Sequence, residues 1–300
     1  KHYKAQCRKH IVPSLGAVRL ADLTTPQIQA FYNRLQREGM AAKSVRNVHG
    51  ILTKCLSTAV QVGYLRDNPA QRTTLPKILK KEIHPLTDEQ VKAFLRVASG
   101  DEYEIILKTI LFTGLREAEA TGLTWDCVDL SSGTIKVCKQ LQKRPLKDGG
   151  FTFAPLKNNK TRVIKPAPFV MELLDRQRRN QAAQKLQAGP LWQGWSTNEE
   201  RKTSLVFTTA TGGNLSPQTV YNHYKKLAVK IGAPDSRVHD LRHTFAVLSL
   251  QNGDDVKTVQ GNLGHATAAF TLDVYGHVSE RMKEDSAARM ETYIRGLGNL

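Results

Sequence analysis

One stretch of this chain, residues 68–87, limits what the rest of it can fold into. It reads NPAQRTTLPKILKKEIHPLT and combines three prolines and several basic residues with little hydrophobic periodicity. Proline removes a backbone donor and fixes φ, so this stretch suits neither a long helix nor a central strand. We interpret it as a linker, and the sequence predicts a first domain at 1–78, a linker at 79–86 and a second domain at 87–300.

The first domain is predicted to be helical. Thr24 and Pro26 supply a cap and a first-turn proline for a helix that ends at Gly39, and a second helix covers about residues 42–62. In the second domain, Thr87 with Gln90 resembles a capping box. Further helices are predicted at 102–113, 115–123, 167–187, from Ser216–Pro217 onward and at the C-terminus, with 188–204 as an irregular insertion.

Three segments in the middle of the second domain favour β-structure. GTIKVCKQLQ, GFTFAPL and TRVIKP alternate or carry β-branched residues, and Lys-Asp-Gly-Gly separates the first two. We expect a small antiparallel sheet of two or three strands. The predicted fold class is therefore mainly α with a small antiparallel β-sheet (α+β).

The charge of the chain points to a polyanionic partner. The net charge is +17, and residues 1–80 hold 14 Lys+Arg against 3 Asp+Glu. A fold does not need so much self-repulsion unless nucleic acid binds it. Basic residues in this part are expected to contact DNA phosphates, with Ser44 and Asn47 as neighbours that could reach base edges: Lys4, Arg8, Lys9, Lys43, Arg46 and Lys54.

The cellular setting follows from absent signals. The sequence contains neither a run of about 18 apolar residues nor a signal-peptide core. Its four cysteines form no CxxC pair, and we interpret them as structural or incidental in a reducing compartment. The sequence thus predicts a cytoplasmic protein without membrane contact. Because the chain does not begin with Met, we expect it to be a fragment of a longer protein.

The segment VHDLRHTFA carries the strongest chemical signal. His239 and Arg242 are three residues apart, so on a helix both side chains lie on one side. Arginine offers a planar fork of donors for two phosphate oxygens, and histidine can exchange a proton near neutral pH. Arg116, after a Thr-Gly turn and before a helix start, is a second candidate anion ligand. Glu119, three residues after Arg116, could pair with a basic group and orient the segment around Arg116, or form an ordinary surface ion pair.

A metal site is the alternative for the histidines. His239 and His243 have the i, i+4 spacing of a metal pair, with His265 as a third ligand. Arg242 would place a fixed positive charge beside the cation, and no acidic residue occupies the general-base position. We therefore predict neither a metal nor a cofactor, with His243 supporting its helix.

Three segments together resemble the tyrosine recombinase family, the phage integrases, over nearly the whole chain. TGLREAE, HDLRHTFA and LGHATAAFTLDVYGH are similar to the family's successive boxes, and the layout most resembles integrases of conjugative transposons or temperate phages. The resemblance implies that Tyr275 is the nucleophile and that Arg116 and Arg242 hold the scissile phosphate, with His239 and His265 beside them. It further implies a lysine general acid on a hairpin loop, for which Lys157 is the best match and Lys160 the competitor. We expect His277 to lie behind the residues that contact the phosphate.

The resemblance also implies an architecture and partners. We expect a two-domain, C-shaped DNA clamp that integrates and excises a mobile element through a 3′-phosphotyrosyl intermediate. The resemblance also implies a nucleoid-associated protein of the bacterial cytoplasm and an upstream domain for additional DNA sites that this fragment lacks. Four protomers would exchange strands of double-stranded DNA through a Holliday junction, with a directionality factor or a host DNA-bending protein as further partners. The C-terminal helix packs either on its own domain or on a neighbouring protomer. The alternatives are a type IB topoisomerase, a non-catalytic DNA-binding regulator on this scaffold and a metal-dependent nuclease.

Overall fold

The chain divides into two compact units, Lys1–Glu82 and Ile83–Leu300, each with its own apolar core. The structure is a computed structural model that describes residues 2–78, 84–145, 150–157, 159–264 and 280–296. In this described part, a search for a helix of sufficient length and hydropathy to span a bilayer finds none.

Helices build the N-terminal unit, as the sequence predicts. α1 (His2–Gln6), a π-helical turn (Cys7–Ile11) and α2 (Val12–Leu15) follow one another and precede α3 (Thr25–Arg37) and α4 (Ala42–Gln61). α3 begins at its predicted cap, where the Thr24 backbone N–H donates to Gln27 Oε1 at 2.9 Å. The apolar stripes of α3 and α4 form the core, which buries Ile28, Phe31, Tyr32, Leu35, Val45, Val48, Leu52 and Leu56.

Residues 68–75 belong to this core, so the linker interpretation of the stretch 68–87 is wrong for them, although they lie within the predicted first domain at 1–78. The Asn68 amide donates to Thr53 O at 2.9 Å and to Ser57 Oγ at 2.8 Å, and its Oδ1 accepts from the Ala70 N–H at 2.9 Å. Ala70 itself is fully buried. The prolines lie in and after a 3-10 turn (Pro69–Arg72), where neighbouring helices satisfy the polar groups.

A central helix organises the C-terminal unit. α5 (Asp88–Val97) starts at the predicted Thr87–Gln90 capping box and precedes α6 (Glu104–Thr113), which is buried along nearly its whole length. α6 packs against α8 (Pro168–Ala188) and α11 (Val238–Gln251). The other helices are α7 (Glu117–Thr121), α9 (Asn198–Thr203), α10 (Pro217–Lys230), α12 (Val256–Leu263) and α13 (Glu280–Gly296).

The predicted antiparallel β-structure is confirmed, but it forms two small sheets. β2 (Thr134–Val137) pairs with β1 (Val128–Asp129) and β5 (Arg162–Ile164), while β3 (Lys139–Lys143) pairs with β4 (Phe151–Pro155). The first predicted segment therefore divides at Cys138, because its two halves pair with different strands. Gly122, which ends α7, lies against β3 so closely that a Cβ there would be 2.5 Å from Leu141 N. This contact joins α7 to the sheet region.

The expectation of an irregular insertion at 188–204 is wrong in part. The segment contains a 3-10 turn (Gly189–Leu191) and α9, whose capping box joins Thr197 to Glu200. The Trp195 ring lies between the Lys185 ammonium, 3.9 Å from its centroid, and the Arg201 guanidinium, at 4.7 Å. Nearby, Trp125 Nε1 donates to Gln181 Oε1 at 2.9 Å. Lys185 joins the insertion to α8, through its contact with the Trp195 ring and through its Nζ, which donates to Ser196 O at 2.9 Å.

Candidate active site

The turn between α6 and α7 positions Arg116. Gly114 ends α6 with φ +65, a conformation that glycine adopts without steric cost, and the chain turns into α7 with Arg116 as its cap. A Cβ on Gly114 would lie 2.5 Å from Phe245 and 2.6 Å from Leu263, so α11 and α12 press directly on this turn. The predicted turn and helix start are confirmed.

Glu119 orients Arg116, which confirms that it pairs with a basic group. Its Oε1 accepts from Arg116 Nη1 at 2.6 Å, and its Oε2 accepts from the Arg116 backbone N–H at 3.0 Å. Glu119 is only 2% exposed. Burial opposes its charge, but the hydrogen bonds and charge of Arg162, with those of Arg116, outweigh burial and lower the pKa of Glu119. The carboxylate therefore stays charged beside both guanidinium groups.

Arg242 is a buried arginine on α11. It is 2% exposed, and protein carbonyls satisfy its guanidinium: Nη1 donates to Gly114 O and Nη2 donates to Leu263 O at 2.5 Å. Burial, and then the positive charge of Arg116, lowers the pKa of Arg242 to about 9, which leaves it charged at neutral pH. The guanidinium holds the turn before α7 and the end of α12 together.

His239 lies one turn before Arg242 on α11, as its spacing predicts. It keeps an exposed edge, and its ring meets that of His243 edge-on with centroids 4.8 Å apart. Burial of the rest of the ring, and then the charge of Arg242, lowers the pKa of His239. The imidazole is therefore neutral at neutral pH and can accept or share a proton.

Both arginines converge on the end of α12. Arg116 Nη2 donates to Gly264 O at 3.5 Å, next to the Leu263 carbonyl that Arg242 contacts. Gly264 caps α12 with φ +62. His265, Tyr275 and His277 follow in the sequence but lie outside the described residues. The structure thus brings together Arg116 and Arg242 at the point where the third box begins.

Lys157 and Lys160 lie on the turn between β4 and β5, strands that pair with β3 and β2 respectively, so this turn joins the two sheets and does not close a hairpin as the resemblance implies. Both are exposed, and the turn closes through the Asn159 N–H, which donates to Leu156 O at 2.9 Å. Among the described residues, the contacts that join the two arginines include neither lysine. The choice between Lys157 and Lys160 stays a prediction.

Sequence reasoning missed Arg162, the first residue of β5. Its guanidinium contacts Glu119 and the Asn262 carbonyl. The segment TRVIKP was considered only as a strand. A charged residue beside a β-branched pair at the end of a loop is a weak signal, because an exposed arginine would give the same pattern.

The basic residues that are predicted to contact DNA lie on α1, on the π-helical turn after it and on α4. Arg46 and Lys54 line a groove of about 900 Å³, together with Tyr3 and Asn47. Lys9 and Ser44 line a second hollow beside it. Lys4, Arg8 and Lys43 are exposed. His49 turns inward instead, and its Nδ1 shares a hydrogen bond with Tyr32 Oη at 3.0 Å.

Comparison with known proteins decides the family. Residues 84–282 match the model of the phage integrase family, and residues 1–36 match the N-terminal SAM-like domain of phage integrases. The chain belongs to the phage integrase family. The resemblance seen in the sequence is thereby confirmed, and this phage integrase is a tyrosine recombinase, an enzyme of DNA strand cutting and rejoining rather than a type IB topoisomerase.

Relatives of this phage integrase are described as tyrosine recombinases or integrases. It is 26% identical to a tyrosine recombinase XerC-like protein of Caldanaerobacter subterraneus, covering 95% of this chain and 75% of that protein. It is 25% identical to the ICEBs1 integrase of Bacillus subtilis, covering 94% of this chain and 74% of that one.

A solved structure of the Tn1549 transposon integrase, in complex with transposon right end DNA, has the same fold. It superposes with a TM-score of 0.77 at 21% identity, covering 96% of this chain and 91% of that one. A lambda integrase dimer bound to a core site gives a TM-score of 0.64 at 19% identity, covering 91% and 86%. The mainly helical fold with small antiparallel sheets is thus the fold of these integrases.

Proposed function

We propose that this recombinase integrates and excises a mobile genetic element, with Tyr275 as the nucleophile and Arg116, His239, Arg242 and His265 around the scissile phosphate. The observation that carries the proposal is the convergence of the Arg116 and Arg242 guanidinium groups on the Leu263 and Gly264 carbonyls. That position immediately precedes the segment bearing His265 and Tyr275. A cationic site held at this point suits a phosphodiester.

The two arginines supply what phosphoryl transfer needs most. The Tyr275 oxygen attacks phosphorus, the bond from phosphorus to the 5′ oxygen breaks, and negative charge grows on the non-bridging oxygens. Fixed guanidinium groups stabilise that charge, which can contribute several kcal/mol. Because Gly114 O, Leu263 O and Glu119 already orient them, little reorganisation accompanies the step.

Proton transfer requires one acceptor and one donor. A phenol of pKa about 10 loses its proton to a neutral imidazole as it attacks, and the lowered pKa of His239 suits this role. The leaving 5′ oxygen takes its proton from Lys157, with Lys160 as the competitor on the same exposed turn. The resulting 3′-phosphotyrosyl ester retains the phosphoester bond, so a 5′ hydroxyl can reseal the strand by the reverse step.

The N-terminal unit is proposed to be the core DNA-binding domain of a C-shaped clamp around double-stranded DNA. The net charge of its first 80 residues supports this, as does the groove that Arg46 and Lys54 line beside Asn47. Related integrases have been solved with DNA bound. Lys4, Arg8, Lys9 and Lys43 complete the proposed phosphate contacts.

The active assembly is proposed to be a homotetramer on DNA, assisted by a directionality factor or a host DNA-bending protein. α13 supports contact between copies, because Met290 is 58% exposed, Tyr293 63% and Ile294 40%. Apolar side chains so exposed on one helix mark an interaction surface. We therefore propose that α13 docks on a neighbouring protomer.

A nicked suicide substrate tests the chemistry. The nick lies in the cleaved strand close to the scissile phosphate, so cleavage releases a short strand with the 5′ hydroxyl, and its loss traps the covalent complex for a denaturing gel. We expect a protein–DNA band that Tyr275→Phe abolishes and that Tyr64→Phe, the matched change at an exposed tyrosine, leaves unchanged. A band that persists in Tyr275→Phe overturns the proposed nucleophile, and cleavage that yields no covalent band and is lost in EDTA favours a metal-dependent nuclease.

A further inference from the structure

The proposed mechanism gives no task to Arg162, although its guanidinium lies inside the site. Its side chain is 10% exposed, its Nη2 donates to Glu119 Oε2 at 2.7 Å, and its Nη1 donates to Glu119 Oε1 at 3.3 Å. Its Nε donates to Asn262 O at 2.7 Å. We propose that Arg162 is a positioning residue that shares Glu119 with Arg116 and so leaves Arg116 free to stabilise charge on the scissile phosphate. This inference rests on the proposed function.

Glu119 is the shared element. Oε1 of this one carboxylate accepts from Arg116 Nη1 at 2.6 Å and from Arg162 Nη1 at 3.3 Å, and its side chain is 1% exposed. In so buried a place, charge interactions are strong. If Arg116 alone faced this carboxylate, the pair would neutralise itself and Arg116 would offer less charge to a phosphate. Arg162 supplies the second cation, so the group of three keeps a net positive charge.

Arg162 also fixes where Arg116 can point. Arg162 bonds Asn262 O in the last turn of α12, and Arg116 bonds Gly264 O two residues later. A Cβ on Gly264 would lie 2.9 Å from Arg162 Nη1, so the guanidinium packs directly against that backbone. Arg162 thus joins β5, α7 and the end of α12 around one carboxylate.

A direct role on the phosphate does not suit Arg162. Both of its Nη atoms face the Glu119 carboxylate, whose negative charge repels a phosphate, and its Nε donates to Asn262 O. A lysine could not replace it, because a single ammonium lacks the fork that contacts both carboxylate oxygens and a carbonyl together. The side chain therefore acts through Glu119 and Arg116.

Three suicide substrates separate this role from others. One carries the ordinary scissile phosphodiester, the second carries a neutral methylphosphonate there, and the third replaces the bridging 5′ oxygen with sulfur. The methylphosphonate needs less positive charge from Arg116. The sulfur leaves without a general acid, because a thiol has a pKa of about 8.5. Single-turnover cleavage by Arg162→Gln and Arg162→Lys is compared with the unsubstituted enzyme on each substrate.

We expect both variants to cleave the phosphodiester at least about 30-fold more slowly, with DNA affinity within about threefold. On the methylphosphonate the deficit should fall to less than about fivefold, and on the sulfur substrate it should stay near 30-fold. Lys165→Gln removes a charge from an exposed position just after β5 and should stay within about twofold on all three.

Other outcomes overturn the inference. Equal deficits on all three substrates mean that Arg162 only supports the fold, and relief on the sulfur substrate alone assigns it to the lysine loop. Thermal unfolding of Arg162→Lys checks that this milder variant is folded if Arg162→Gln is not. Failure of the proposed function would look different, because Tyr275→Phe would then keep the covalent band of the otherwise unsubstituted protein.

Discussion

At the scale of single residues, the site is built from arginines that protein groups already hold. Arg242 donates hydrogen bonds to Gly114 O and Leu263 O, and Arg116 donates one to Glu119. Such prior orientation means that a substitution which keeps the charge but loses the geometry should impair chemistry more than binding.

Arg242→Lys tests that expectation. A lysine ammonium cannot contact two carbonyls and a phosphate at once, so we expect single-turnover cleavage of the suicide substrate to fall by about 100-fold or more. DNA affinity, measured by fluorescence anisotropy, should change by less than about threefold, because other phosphate contacts supply most of it. Equal losses in cleavage and affinity would contradict the role of the fork.

Two buried groups predict opposing effects of pH on stability. Burial lowers the pKa of His243 to about 4 and raises that of Glu117 to about 7. As pH falls from 6.5 to 4.5, His243 takes up a proton only in the unfolded chain, which lowers the free energy of unfolding. Over the same range Glu117 takes up its proton in the folded protein at higher pH than in the unfolded chain, which raises the free energy of unfolding. Each slope is at most about 1.4 kcal/mol per pH unit, so the two largely cancel.

Single variants should expose the two slopes. Glu117→Gln should lose stability as pH falls from 6.5 to 5, and His243→Asn should gain it, both measured by urea denaturation at each pH. His84→Gln, at an exposed position, is the control for the substitution itself. Parallel pH profiles for the Glu117 and His243 variants would show that burial does not shift these groups in opposite directions.

At the scale of secondary structure, helix starts could be predicted from local caps, whereas strand pairing could not be predicted because it depends on distant strands. The Thr24, Thr87 and Ser216 starts lie where the sequence predicts, because a cap is a local interaction within four residues. The division of the β-segments at Cys138 depends on which distant strand each half meets, so local pattern could not reveal it. α9 had a readable signal, since Thr197 and Glu200 form the same box as Thr87 and Gln90.

In the candidate site too, relations between residues close in sequence could be predicted and a contact between distant residues could not. The spacing of His239 and Arg242 placed both on one helix face, because the helical period fixes that relation. Glu119 was recognised from its position three residues after Arg116. Arg162 could not be, because 43 residues separate it from Glu119 and only the fold brings them together.

Gly114→Ala should destabilise the turn between α6 and α7. The positive φ of +65 costs an alanine about 1–2 kcal/mol, and the added Cβ, 2.5 Å from Phe245, adds an overpacking cost of about 1–3 kcal/mol. Gly133→Ala is the matched control, with φ +66 and nothing within 4 Å of the new Cβ. Urea denaturation should show the larger loss for Gly114→Ala, and equal losses would mean that the neighbouring side chains yield freely.

At the scale of the whole molecule, the uneven charge separates affinity from chemistry. Residues 1–80 carry 14 Lys+Arg against 3 Asp+Glu, and the remaining residues carry 30 against 24. Phosphate contacts from the N-terminal unit should therefore dominate the salt dependence of DNA binding. The arginines of the C-terminal unit should contribute chiefly to the cleavage rate.

Lys54→Ala should weaken DNA binding without changing sequence preference. Loss of one phosphate contact should reduce the slope of log K against log salt concentration by about 0.9, as titrations at several salt concentrations would measure. Lys202→Ala is the control, because the Lys202 ammonium pairs with Glu199 at 2.7 Å on α9. An unchanged slope for Lys54→Ala would remove the α4 groove from the DNA interface.

The indole rings described around α8 and α9 have an experimental consequence. All three tryptophans of the chain, Trp125, Trp192 and Trp195, belong to the C-terminal unit. Intrinsic indole emission therefore reports the melting of that unit alone, whereas far-ultraviolet dichroism follows the helices of both. Recording the two signals on one intact sample would give separate melting midpoints for the units, and adding DNA would show which midpoint moves.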